Sequence, residues 1–236
     1  MCFIKISNVK HKISNAVITD ISPYCCIAKI SVNTLNHIPG QYISLSCKDG
    51  PERFFSVVSH SPKEDDSSEL SILISFTEKQ SPSYKIIEKL KAKKEIFLSG
   101  PFGDAYFRDS EFGSVLISCD YGVAYINGIV NGLKKNTYSK NHLLIIITEK
   151  DDDTFSNDFL SSLPNNINLL KFNLIYNERD DLFLKSIIDV IGEEYLMNSN
   201  FYIGSGKSFF TEFNNILLSN GVGESRIFSD NKINCL

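Results

Sequence analysis

Arg53-Phe54-Phe55-Ser56 is the segment of this chain whose residue types and spacing carry the most chemistry. A guanidinium is a planar, permanently charged fork suited to an anion. Two phenylalanines in a strand offer apolar surface on alternating faces, and the serine adds a hydroxyl further along. Together they supply the parts for gripping a flat apolar ring that carries charge at its rim. The plainer reading is a strand whose arginine pairs with Glu52 or Asp49. A glycine bend, Gly100-Pro101-Phe102-Gly103, offers backbone conformations closed to other residues, with Pro101 stiffening it. A second turn, Gly204-Ser205-Gly206-Lys207, joins a strand to a helix, where bare backbone and one lysine suit the approach of an anionic group. It is not a P-loop, because the earlier glycine of that motif is missing.

The elements that must position these residues follow two grammars. Up to Phe76 the apolar residues form short strand-like runs, Ala16 to Ile21, Cys25 to Val32, Tyr42 to Cys47, Phe54 to Ser59 and Leu70 to Phe76, separated by turn residues. Strands at this spacing without helices between them predict an antiparallel meander or barrel. A helix over Pro82 to Leu90 and a last strand over Glu95 to Ser99 complete residues 1–110 as an N-terminal antiparallel β-barrel. From Ser114 onward strand and helix alternate. Strands at Val115 to Cys119, Leu143 to Thr148, Leu169 to Tyr176 and Phe201 to Gly204 are each followed by a helix, the last from Lys207 to Leu218. This predicts residues 111–236 to be an α/β domain with a parallel sheet and a ligand at the carboxyl ends of its strands.

Composition narrows the chemistry further. A formal charge of −4 leaves no basic stripe for nucleic acid. No apolar run approaches the roughly 20 residues that span a bilayer, and the start does not read as a secretion signal, so a cytoplasmic protein without a membrane partner is expected. Cys2, Cys25, Cys26, Cys47, Cys119 and Cys235 show no repeated C-x-x-C spacing, and the four histidines are dispersed. No metal site and no disulfide framework are expected; reduced, buried thiols are.

Pro39-Gly40-Gln41-Tyr42, Arg53-Phe54-Phe55-Ser56 and Gly100-Pro101-Phe102-Gly103, in that order, resemble the P-G-Q-Y, R-x-[YF]-S and G-P-x-G signatures of the ferredoxin-NADP reductase superfamily. The small bacterial NAD(P)H-flavin reductases look most similar. The resemblance implies a flavin-binding barrel followed by a nicotinamide-nucleotide domain. It implies that Arg53 positions the flavin and that Ser56 is the catalytic hydroxyl beside the ring position that accepts hydride. Phe54, Phe55, Gly100, Pro101, Phe102 and Gly103 would line the flavin, and Ser75, Phe76 and Thr77 would meet its ribityl or phosphate. Gly122, Gly204, Ser205 and Gly206 would admit the nucleotide.

The implied reaction passes hydride from NADH or NADPH to FMN, FAD or riboflavin, held as substrate or prosthetic group, with an electron-acceptor protein as a downstream partner. Lys150, flanked by Glu149 and Asp151, leaves NADH against NADPH open. One segment departs from the family pattern. Ser118-Cys119-Asp120-Tyr121-Gly122 keeps only the last glycine of the expected turn, and Asp120 brings negative charge toward an anionic ligand. The alternative reading is therefore a degenerate reductase with impaired nucleotide binding, serving as a flavin-binding or regulatory subunit. No aromatic residue follows Phe228 to shield the flavin.

Overall fold

A computed structural model describes residues 10–33, 35–48, 50, 52–62, 67–119, 122–134, 140–148, 157–173 and 181–231. The first half holds strands β1 (His11–Lys12), β2 (Asn15–Ser22), β3 (Cys25–Asn33), β4 (Tyr42–Cys47), β5 (Arg53–Pro62), β6 (Ser67–Ser75) and β7 (Ile96–Phe102), with helix α1 (Pro82–Lys91) between β6 and β7. They form one antiparallel sheet in the order β1-β7-β4-β5-β6-β3-β2. Its two edge strands are separated in sequence only by Ile13 and Ser14, so the sheet has to curl. Ile13 N–H donates to Ile96 O at 3.1 Å and Ser14 N–H to Ser31 O at 3.0 Å, which ties the two edges together.

Alternation decides what fills the barrel. Ala28, Ile30 and Val32 of β3, Ile43 and Leu45 of β4 and Leu70, Ile72 and Ile74 of β6 point inward, and Ile86, Ile87 and Leu90 of α1 plug the end. That helix starts where Ser81 accepts from Tyr84 N–H at 3.2 Å, with Pro82 in its first turn. β7 runs on through Gly100-Pro101, whose peptide bond is cis, instead of ending at Ser99.

The second half holds β8 (Ser114–Cys119), α2 (Val123–Leu133), β9 (His142–Thr148), α3 (Asn157–Ser161), β10 (Ile167–Asn173), α4 (Asp181–Asn198), β11 (Asn200–Gly204), α5 (Lys207–Ser219) and β12 (Ile227–Ser229). Its five strands are all parallel, in the order β10-β9-β8-β11-β12. Val115, Ile117 and Cys119 face α4 and α5, while Leu116 faces α2, so the central strand is apolar on both sides. Strand order reverses between β8 and β11, which is where an open α/β sheet leaves a crevice at its carboxyl edge. α4 outruns the expected Ile191 because Gly192, at φ 74° and ψ 161°, kinks the chain and a second helical stretch follows. The expected ends of the α3 helix and of β10 lie partly in 151–156 and 174–180, outside the described residues. No described helix is long and apolar enough to cross a membrane.

Candidate functional site

The barrel wall is split where Arg53 to Ser56 lie. β5 pairs with β4 through Leu45↔Arg53, Ser44↔Phe54, Ile43↔Phe55 and Tyr42↔Ser56. Its ladder with β6 begins only at Val57↔Ile72 and runs away from that segment. Continued, that register would set Phe54 against Ser75 and Arg53 against Phe76. Instead Leu73 to Ser75 pair with β3 alone, at Ile27, Cys26 and Cys25. The two sequence segments expected to hold one ligand thus form opposite lips of an open seam, and backbone donors and acceptors along each lip face the gap.

Side chains around the seam sort by face. Cross-strand partners share a face, so Tyr42, Ser56 and Phe102 stand together, and Phe54 joins them two residues from Ser56. The Tyr42 ring meets Phe54 edge-on at 5.7 Å and Phe102 at 5.7 Å. Phe54 is 61% exposed, an unusual fraction for so large an apolar ring, whereas Phe55 is 8% exposed and packs in the barrel core. Arg53 opens the strand, half-buried, and forms no ion pair with another described residue. Glu52 instead accepts the Ser44 hydroxyl at 2.5 Å, and Asp49 lies outside the described residues. On the far lip, Phe76 N–H donates to Tyr24 O at 3.0 Å and its ring lies 4.9 Å from Tyr84.

The glycines of the barrel motifs are required by close approach. Gly40 has φ +96°, and a Cβ there would sit 2.8 Å from Ala105 O and 3.3 Å from the Tyr125 ring. Gly100, at φ +124°, would put a Cβ 3.3 Å from Tyr42 O. Gln41 holds the first turn by accepting from Ile38 N–H at 2.9 Å through its side chain and from Val57 N–H at 3.2 Å through its carbonyl.

The second candidate wall is the carboxyl edge of the parallel sheet, which α2 joins to β5. Gly122 and Gly204 touch backbone to backbone, since a Cβ on Gly122 would lie 2.0 Å from Gly204 O. Both helices that leave this edge, α2 after Gly122 and α5 after Gly206, begin without a side-chain cap among the described residues, and helix starts of this kind favour an anion. A Cβ on Gly206 would meet nothing within 4 Å among the described residues. Asp120 and Tyr121 lie outside the described residues, as do Lys150 and its acidic neighbours.

Two buried oxygens at this edge, Ser118 Oγ and Asp230 Oδ1, have no partner among the described residues. Ser118 pairs with Gly204, and the β11–β12 register, continued one residue past Ile203↔Ser229, brings Asp230 level with Gly204 from the other side. Alternation puts both side chains on the α2 face. Asp230 as a whole is half-buried, but the withdrawal of its carboxylate from water pushes its pKa from 3.8 to about 7, with hydrogen bonds from Ser229 and nearby backbone countering in part. Asn231 Nδ2 donates to Ser205 O, fixing the segment against the turn.

Asp230 is the site residue that sequence reasoning missed. Its signal was weak because β12 is three residues long and carries no periodicity. Phe228, by contrast, stacks on Tyr202 at 5.1 Å and beneath the Arg108 guanidinium at 4.4 Å, in the α/β lobe.

α2 brings the walls together. Tyr125, fully buried in its first turn, donates its hydroxyl to Ala105 O at 2.6 Å and lies against Gly40. Phe107 N–H donates to Pro39 O at 2.7 Å.

No protein-family model matches the sequence, and no curated protein matches it. Solved structures do match the fold. A ferredoxin reductase of carbazole 1,9a-dioxygenase in its FAD apo form superimposes with a TM-score of 0.73 at 20% identity, over 94% of this chain and 67% of that one. The flavohem-like FAD/NAD-binding domain of nitric oxide dioxygenase from Vibrio cholerae O1 biovar El Tor gives 0.69 at 17%, over 93% and 97%. A ferredoxin-NADP+ reductase variant from Plasmodium falciparum gives 0.64 at 19%, over 93% and 94%. The chain therefore has the ferredoxin-reductase-like two-domain fold.

Proposed function

We propose that the protein is an NAD(P)H-dependent flavin oxidoreductase, and more narrowly a flavin reductase acting on FMN, FAD or riboflavin. In the net reaction NAD(P)H, a proton and oxidised flavin give NAD(P)+ and reduced flavin, two electrons moving as hydride. The observation that carries this reading is the open β5–β6 seam, joined through α2 to a carboxyl edge with bare glycine backbone and two buried oxygens that have no partner among the described residues. The fold neighbours named as FAD- or NAD-binding reductases support it.

The residues present fit a flat, partly charged ring system. The exposed Phe54 with Tyr42 and Phe102 offers apolar surface beside the seam, and Phe55 backs that strand from the core. Arg53, without an ion pair among the described residues, is suited to a phosphate or polar rim. Ser75, Phe76 and Thr77 form the other lip, and the Gly100–Gly103 bend closes one end. A flavin bound there supplies two-electron acceptance at its ring system. Ser56, on the Tyr42 face, offers its hydroxyl to the ring edge and so orients and polarises it.

On the other wall Gly122, Gly204, Ser205 and Gly206 keep backbone bare for the nucleotide, and the uncapped helix starts point N–H groups at its charge. Asp230 and Ser118 offer hydrogen-bonding atoms to a carboxamide. Catalysis then rests on holding two rings at attack distance and excluding water, with no nucleophile required. Reduced flavin then leaves or delivers electrons to an acceptor protein, in the cytoplasm.

The test is to mix purified protein with NADH, and separately NADPH, with excess FMN or riboflavin. Oxidation above the flavin-only control is expected, and none with either nucleotide rejects the reading. Thermal stabilisation by flavin but by neither nucleotide assigns the chain to the degenerate, flavin-binding class instead.

A further inference from the structure

The two lobes meet along α2, and the middle of that contact falls on the strand of the seam. A Cβ on Gly128 of α2 would lie 2.3 Å from Val57 O, and one on Gly132 would lie 2.4 Å from the Pro39 ring. Between them Asn131 Nδ2 donates to Val58 O at 3.0 Å and is steadied by Asn127 Oδ1 at 2.9 Å, one turn back. Behind this contact the lobes stand apart around a cavity of about 590 Å³ whose walls include His37, His60, Phe107 and Asp109. α2 thus carries the contact along its length, from Tyr125 against Gly40 to Gly132 against Pro39, and Leu73 of β6 packs on the same apolar cluster.

Its position on β5 gives it meaning. Val57 and Val58 directly follow Ser56, and Val57 is the residue at which β5 first pairs with β6. α2 therefore grips β5 at the root of the seam, while the start of the same helix at Gly122 belongs to the opposite wall. One rigid helix of 11 residues ties both walls of the cleft.

We infer that Gly128 and Asn131 are positioning residues that set the separation across the cleft, and so the rate of hydride transfer, without contributing to the affinity for either ligand. This rests on the oxidoreductase reading. Hydride leaves the nicotinamide, which is oxidised, and reaches the flavin, which is reduced with a proton from solvent. The rate of such a step falls steeply with misplacement, about a hundredfold for 1 Å. An alanine methyl at Gly128 meets backbone, which cannot swing aside, so the helix has to lift away from β5. Asn131→Asp keeps shape but replaces the donor to Val58 O with an acceptor.

The experiment compares the wild-type protein with Gly128→Ala and Asn131→Asp, and with Gly223→Ala as a control whose methyl meets nothing closer than Ser225 Oγ at 3.9 Å. Flavin dissociation constant, KM for NADH, Tm and anaerobic single-turnover rate with NADH and 4-deuterated NADH are measured. Flavin affinity and KM should stay within about threefold, while the limiting rate drops at least about tenfold with a larger deuterium effect, Gly128→Ala being slower than Asn131→Asp. The control should match the wild type. Gly128→Ala should also lower Tm, because its methyl overpacks main chain, so the affinities decide: an unchanged rate in both variants, or losses of affinity that parallel the rate, overturns the inference.

If the wild type itself transfers no hydride, the oxidoreductase reading fails and the joint is judged by hydrogen exchange. Gly128→Ala should then expose the amides of Val57 and Phe107, which bond to Gln41 O and Pro39 O. Unchanged protection there sinks the joint as well.

Discussion

The two walls of the cleft are built by opposite means. On the barrel side the seam presents side chains, with Arg53, Phe54, Ser56, Tyr42 and Phe102 standing on paired strands that hold whether or not those groups are there. On the α/β side the crevice is mostly backbone, made by Gly122, Gly204 and Gly206 and by helix starts without caps. A side-chain wall tolerates change by degrees, because deleting one group removes one contact. A backbone wall does not, because any added atom displaces main chain.

Gly122→Ala should therefore have the largest effect of any single change at the cleft. Its methyl would meet Gly204 O at 2.0 Å, and overpacking against main chain costs about 3 kcal/mol, roughly 6–12 °C in Tm for a chain of this size. Calorimetry checks it, and a drop under about 2 °C would break the contrast between the walls. On the opposite wall Arg53→Ala should leave Tm unchanged, because Arg53 forms no ion pair with another described residue. It should weaken flavin binding about ten- to a hundredfold, the loss of a charge-assisted contact, as read by quenching of flavin fluorescence. Phe54→Ala should also leave Tm alone, since the ring is 61% exposed, and should weaken flavin binding by roughly tenfold or less.

Asp230→Asn sharpens the comparison through pH. The folded-state pKa of Asp230, at about 7, lies above the ordinary 3.8, so the protonated carboxyl is favoured by folding. That contribution is whole below pH about 4 and is lost as pH rises through about 7. The variant, which cannot ionise, should melt with the wild type at or below pH about 4, pull ahead of it as pH rises from there to about 7, and melt several degrees above it near pH 8. Equal melting at both pH values would mean that the carboxylate is solvated in solution.

The sequence made most of this architecture legible, because apolar runs of β-branched residues in the first half and strand-helix alternation in the second have few other solutions. Cys25–Asn33, Tyr42–Cys47 and Lys207–Ser219 match the expected elements within a residue or two. The seam was not legible, since both its lips are good strand sequence and only the departure of the β5–β6 ladder at Val57 separates them. Alternation puts Phe54 and Phe55 on opposite faces, but which of them goes to solvent and which to the core is settled only by the register with β4. Asp230 and Asn131 were invisible for a related reason. Asn131 bonds to Val58 and Asp230 follows a strand that pairs with β11, and no local pattern announces neighbours so far along the chain.

The central claim is that the gap between β5 and β6 receives the flavin ring, and hydrogen exchange with and without FMN tests it most directly. Protection should appear together at Arg53 to Ser56 and at Leu73 to Thr77, the two lips, and not along the paired stretch from Val57 to Pro62. FMN binding that protects neither lip, or protection confined to the α/β lobe, would contradict it.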